Sequence, residues 1–115
     1  MTKCPITTHV LDTSRGCPAS GLVVDLRRVD GSTETTLGSG TTDQDGRITS
    51  GLLSQDDFRP ATYMIRFKTG DYFQACGCEG FFPEVTISFH VTADQEHYHV
   101  PLLLSPFAYS TYRGS

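Results

Sequence analysis

Two of the four histidines in this 115-residue chain, His97 and His99, stand one residue apart in "EHYHVPLLLSP". If that stretch is a strand, the two imidazoles share one face, and Tyr98, Val100, Leu102 and Leu104 share the other. A neutral imidazole accepts a proton near neutral pH, so such a face suits general-base chemistry. The same H-x-H spacing also ligates zinc, with His9 of "CPITTHVLD" available as a third ligand. His9 falls on one strand face with Thr7 and Leu11, opposite Ile6, Thr8 and Val10. A guanidinium is at hand as well. Arg47 follows the Asp45-Gly46 turn of "DQDGRITSG" and opens the next strand, where its planar fork can meet an oxygen-rich ligand. His90, with Thr86 and Ser88 on a polar face, reads as a surface residue without a role, and Arg15 beside Gly16 reads as solvated charge.

The face carrying the H-x-H pair also carries Pro101 and Leu103. Bulk water selects Lys, Glu or Thr at such positions, so a face half apolar and half imidazole points to a second buried surface, against another layer or another subunit. The chain end is equally unusual. "FAYSTYRGS" puts Ser110 and Tyr112 on one face of a regular strand and finishes on charged and aromatic residues, where ends are usually frayed and polar.

The elements that must position these groups are mostly strands. Period-two alternation is clean in "EVTISFHV" (Val85, Ile87, Phe89 and Val91 on one side), in "TYMIRFK" (Tyr63, Ile65 and Phe67) and in "GLVVDLRRV" (Leu22, Val24 and Leu26). Turn signals at Ser14-Arg15-Gly16, Asp30-Gly31, Asp45-Gly46 and Ser105-Pro106 separate them, which predicts an antiparallel sandwich. One segment breaks the pattern. "KTGDYFQACGC" predicts a short helix with Thr69 as N-cap, Asp71 in the first turn and Gly77 near its stop. With no repeat, linker or low-complexity segment, residues 1–115 read as one domain.

Composition narrows the function. Hydrophobic residues at 37% and charged residues at 19% suit a globular chain. A net charge of -4 argues against a nucleic-acid partner, which requires a basic stripe. No run approaches the roughly 20 apolar residues of a membrane span. The start lacks a secretory leader pattern, and Cys4, Cys17, Cys76 and Cys78 read as free thiols, so the expected setting is cytoplasmic, or peroxisomal if a leader has been removed.

"TTHVLDTSRGCPA", "DGR" before "GLL", "HYHVPLLLSP" and the terminal "YSTYRGS" together resemble the transthyretin-related 5-hydroxyisourate hydrolase family over nearly the whole chain. "GDYFQA" and "LLSPFAYST" are similar to transthyretin itself, but the hormone carrier lacks the histidines and the YRGS ending. The resemblance implies an all-β sandwich of two four-stranded sheets with one short helix. It also implies a homotetramer whose sites line a channel at the dimer–dimer interface. The implied reaction is hydrolysis of 5-hydroxyisourate by activated water, with no cofactor. Carried over residue by residue, the implied site is His9, Arg47, His99 and Ser115 as catalytic groups with Tyr112, and Arg113 and Gly114 with His9, Arg47 and Tyr112 against the substrate. Either His9 or His99 can be the base, and the two are expected to form a hydrogen-bonded pair. The terminal amides or Arg113 are expected to help hold the oxyanion. Cys17 and "ACGC" depart from the family pattern outside these motifs. Two other readings stay open: a carrier with an apolar channel, and a zinc hydrolase using the H-x-H pair.

Overall fold

The computed structural model describes residues 5–49 and 51–114. Its strands are β1 (Ile6–Asp12), β2 (Cys17–Pro18), β3 (Val23–Asp30), β4 (Thr33–Thr41), β5 (Arg47–Ile48), β6 (Ala61–Phe67), β7 (Val85–Val91), β8 (Tyr98–Leu104) and β9 (Tyr109–Thr111), with helix α1 (Thr69–Ala75) between β6 and β7. They form two packed sheets. One runs β2-β1-β8-β9 with the two-residue β5 added against β1, and the other runs β4-β3-β6-β7. The alternating apolar faces meet between the sheets, where Ile6, Val10, Leu26, Tyr63, Ile65, Phe67, Leu102 and Leu104 are almost wholly buried. Burial of each such side chain stabilises the fold by about 1.5–3 kcal/mol.

The architecture departs from expectation in three places. The first sheet has a fifth short strand. Its central pair, β1 and β8, is parallel and not antiparallel, in register Thr7↔His99, His9↔Pro101 and Leu11↔Leu103. Alternation reports which side a residue faces but is blind to strand direction. A parallel pair needs a long crossover, and here the entire second sheet supplies it. The third departure is at α1. Lys68, not Thr69, occupies the cap position and makes no side-chain cap bond. Thr69 is buried inside the first turn and its hydroxyl donates to the Phe82 carbonyl at 3.0 Å.

Helix α1 steadies the far end of β1. The Tyr72 hydroxyl donates to Asp12 Oδ2 at 2.8 Å, and Asp12 Oδ1 accepts from the Ser14 hydroxyl and from the Ser14 and Arg15 amides. Burial pushes the Asp12 carboxyl up, but the bonds from Ser14, Tyr72 and Arg15 together hold it below its ordinary value. Burial and the bond to Asp12 push the Tyr72 phenol up.

Candidate active site

The outer face of the first sheet collects the chemistry. Thr7, His9 and Leu11 alternate along β1, and His99, Pro101 and Leu103 lie opposite them on β8. Arg47 is brought to this face by a turn and a close approach. Asp43 Oδ1 accepts from the backbone amides of Asp45 (2.9 Å) and Arg47 (3.0 Å). Gly46 takes φ +73°, a left-handed conformation that favours glycine. Its carbonyl accepts from the Val10 amide at 2.7 Å, and a Cβ there would come within 2.3 Å of the Val10 carbonyl oxygen. With β5 held that tightly to β1, Arg47 stands directly opposite His9. Its guanidinium is exposed and, among the described residues, has no side-chain partner, whereas Arg27, Arg28, Arg59 and Arg66 all form ion pairs.

The chain end runs back along β8. The β8–β9 pairing Leu102↔Thr111 continues in the same register to a bridge at His99↔Gly114, where the Gly114 amide donates to the His99 carbonyl at 2.9 Å. Opposed residues of an antiparallel pair share a face. Tyr112 therefore falls on the His99 side and is 58% exposed. Gly114 falls there too, and it must be glycine: a Cβ would sit 2.6 Å from His99 Cδ2 and 3.2 Å from Pro101 Cγ. Arg113 falls on the opposite side, with its guanidinium carbon 4.8 Å from the Tyr98 ring centroid. Of the proposed binding residues, Arg113 is thus the one turned away from the histidines. The Gly114 amide is not free for an oxyanion either, since it is engaged by His99. Ser115 lies outside the described residues.

His99 is held by a residue that the sequence reading passed over. Thr7 Oγ1 lies 2.8 Å from His99 Nδ1 and 3.1 Å from Nε2 of His97, which sits just before β8. The expected His9–His99 hydrogen bond is not formed. Parallel register puts Thr7, not His9, opposite His99, and His9 faces Pro101. The signal was present in "TTHVLD", because Thr7 shares the His9 face, but nothing in one strand tells which residue of another it meets. Burial first, then the positive charges of Arg47, His97 and His9, hold the His99 imidazole below the ordinary histidine value, while a backbone hydrogen bond at Thr7 acts in the opposite sense. His99 is thereby kept as the free base at neutral pH. Among the described residues, no three histidine, cysteine or acidic side chains are grouped to hold a metal ion, so His9, His97 and His99 do not make a three-ligand cage. Cys17, Cys76 and Cys78 are free thiols, and Cys4 lies outside the described residues.

A two-sheet sandwich with imidazoles, a phenol and a guanidinium that has no side-chain partner among the described residues on one outer face defines a transthyretin-type scaffold carrying a polar site. The chain belongs to the HIUase/transthyretin family, whose model matches residues 6–114. It is 43% identical over 114 residues to 5-hydroxyisourate hydrolase of Pseudomonas aeruginosa, covering 96% of this chain and 90% of the relative. With the enzyme of that description from Mesorhizobium japonicum the identity is 47%, over 96% and 91% of the two chains. Among solved structures, Klebsiella pneumoniae 5-hydroxyisourate hydrolase superposes with TM-score 0.82 at 35% identity, covering 99% of this chain and all of that one. Sea bream transthyretin in complex with thyroxine superposes with TM-score 0.91 at 28% identity, covering 96% and 95%. The backbone therefore matches both a 5-hydroxyisourate hydrolase and a transthyretin in complex with thyroxine, so the fold alone does not separate the two.

Proposed function

We infer that this chain is an enzyme of urate catabolism. It hydrolyses 5-hydroxyisourate to 2-oxo-4-hydroxy-4-carboxy-5-ureidoimidazoline by opening the six-membered ring at an amide-like carbonyl. The observation that carries the reading is the pairing of a histidine kept neutral, His99, with Arg47, an arginine that has no side-chain partner among the described residues, on one polar face. His99 takes the proton of the attacking water and returns it to the departing ring nitrogen. Arg47 offers parallel N–H donors to the planar, carbonyl-rich substrate and opposes the charge that develops on the attacked oxygen. His9, directly beside Arg47, and the Tyr112 phenol complete the substrate contacts. His99 rather than His9 is the base in this scheme, because its ring is held by the Thr7 hydroxyl. No cofactor is required where a base and a charged clamp activate water.

The reading extends to assembly. On this face Tyr112 is exposed and Leu11 and Leu103 are only half-buried, a surface suited to cover by another copy of the chain. A homotetramer of dimers with the sites at the dimer–dimer interface would provide that cover. Free thiols at Cys17, Cys76 and Cys78 suit a cytoplasmic setting. Purified, chelator-treated protein added to freshly generated 5-hydroxyisourate is expected to speed its decay well beyond the spontaneous rate. An unchanged decay, or turnover only after zinc is restored, would overturn the metal-free mechanism. Sedimentation at working concentration is expected to give a tetramer, and a monomer would overturn the assembly.

A further inference from the structure

The Thr7 hydroxyl meets two ring nitrogens, Nδ1 of His99 and Nε2 of His97, but has only one hydrogen to give. At least one imidazole must therefore donate to it. Three arrangements satisfy that condition, and they differ in what His99 can do. If His97 donates and Thr7 donates onward to His99 Nδ1, the neutral His99 carries its proton on Nε2 and cannot take one there. If both imidazoles donate, the hydroxyl hydrogen points elsewhere and the two rings are uncoupled. If His99 Nδ1–H donates to Thr7 and Thr7 donates to His97 Nε2, then His99 Nε2 is a free base and a continuous donor chain leads away from it.

His97 gives that chain a destination. It lines a groove of about 820 Å³ at the end of the sandwich together with Arg59, Gln95 and Glu96. Thr7 is only 8% exposed, so the link between site and groove passes through a nearly buried hydroxyl between two half-buried rings. Among the described residues, the charged groups that bear on His99 are His9 from β1, Arg47 from β5 and His97 before β8. All three disfavour a lasting imidazolium beside Arg47, while Glu96 lines the groove with His97.

We propose that Thr7 is a positioning residue that fixes His99 as the Nδ1–H tautomer and connects it to His97, forming a proton relay from the active face to the groove. When His99 Nε2 takes the proton of water, its Nδ1 proton passes to the Thr7 oxygen and the Thr7 hydroxyl proton passes to His97 Nε2. His99 is left neutral and His97 becomes the imidazolium. Return of the proton to the departing nitrogen reverses these transfers, so atoms and charge balance over the cycle. The relay rests on the assignment of His99 as the base.

The test compares hydroxyl, shape and titration separately. Thr7→Val keeps the shape and removes the hydroxyl. It is expected to lower kcat by roughly 10- to 10²-fold with KM nearly unchanged, in the range of general acid–base contributions. Thr7→Ser restores a hydroxyl and is expected to stay within about threefold of the native kcat. His97→Gln keeps a hydrogen-bonding partner for Thr7 but cannot carry the proton. It is expected to lose about tenfold in kcat, recovered by added imidazole entering the open groove. Independently of turnover, ring nitrogen NMR of the unliganded native protein at neutral pH is expected to show His99 protonated on Nδ1, and a tautomer mixture in Thr7→Val. Native kcat in Thr7→Val, or His99 protonated on Nε2 in the native protein, would overturn the proposal. So would a His97→Gln variant with native kcat. Failure of the base assignment is a different result: His99→Ala would then keep its turnover while the NMR still reported the Nδ1–H tautomer.

Discussion

The two sheets present opposite solutions to the same problem of an outward-facing polar surface. On the second sheet, Asp25 lies between Arg27 (3.3 Å) and Arg66 (3.1 Å), Arg66 also reaches Glu84 at 3.3 Å, and Arg27 reaches Glu34 at 3.3 Å. Every one of these charges has an opposite neighbour, and the network is complete without a ligand. On the first sheet, the residues sharing a face are Thr7, His9, Leu11, His99, Pro101, Leu103 and Tyr112, with Arg47 alongside and no ion pair to it among the described residues. A charge ladder on a sheet is satisfied by itself. A guanidinium without a side-chain partner among the described residues is left open on the other sheet.

Substitutions on the two faces should therefore separate activity from stability. The largest effect is expected from His99→Ala. It should lower turnover by about 10²-fold or more while thermal unfolding hardly moves, because Val100 and Leu102, not His99, fill the core. Next is Arg47→Ala, expected to reduce kcat/KM by roughly 10- to 10²-fold, the scale of a hydrogen bond to a charged group. Arg47→Lys should recover little of this if the paired donors matter. Gly114→Ala drives a methyl group into His99 and is expected to cost about tenfold in kcat, with little change in the second sheet. On that sheet, Asp25→Ala should leave turnover within about twofold and lower stability by about 1 kcal/mol, a value kept small by the partial exposure of both arginines. If Asp25→Ala damaged catalysis as much as Arg47→Ala, the division between the faces would be wrong.

The smallest effect is one of pH. The folded-state pKa of His99 lies below its unfolded value of 6.5. Between the two, the unfolded ring binds a proton and the folded ring does not, so His99 contributes a loss of stability as pH falls through 6.5 and no further loss below its folded pKa. Activity that needs the free base should persist below pH 6.5 and fall only as pH drops through the lowered value. A rate profile with its acid limb above pH 6.5 would place the essential base elsewhere.

Much of this was legible in the chain because strand alternation is a local property. Val85, Tyr63, Leu22 and Leu102 each lie on the side that their neighbours predict, and Arg47 opens a strand after the turn that Asp45-Gly46 announces. Partnership between distant strands was not legible. The parallel β1–β8 register decides that His99 meets Thr7 and that His9 meets Pro101, and no pattern within either strand encodes that choice. Arg113 fell on the wrong side of the expectation for a related reason. A motif places residues near a site, while the continued β8–β9 register sets which of them point into it.

The contact between Thr7 and His99 joins residues 92 positions apart. During synthesis, at roughly 5–20 residues per second, β1 leaves the ribosome several seconds before its partner exists. The β3–β4 pairing joins residues close in sequence and can form early. Ile6 and Val10 must keep their apolar sides protected until β8 arrives, and slow, long-range pairing of this kind sets the pace of folding. A nascent chain therefore lacks the Thr7–His99 contact until β8 has been made. The contact is made when the β8 strand slots between β1 and the β9 segment.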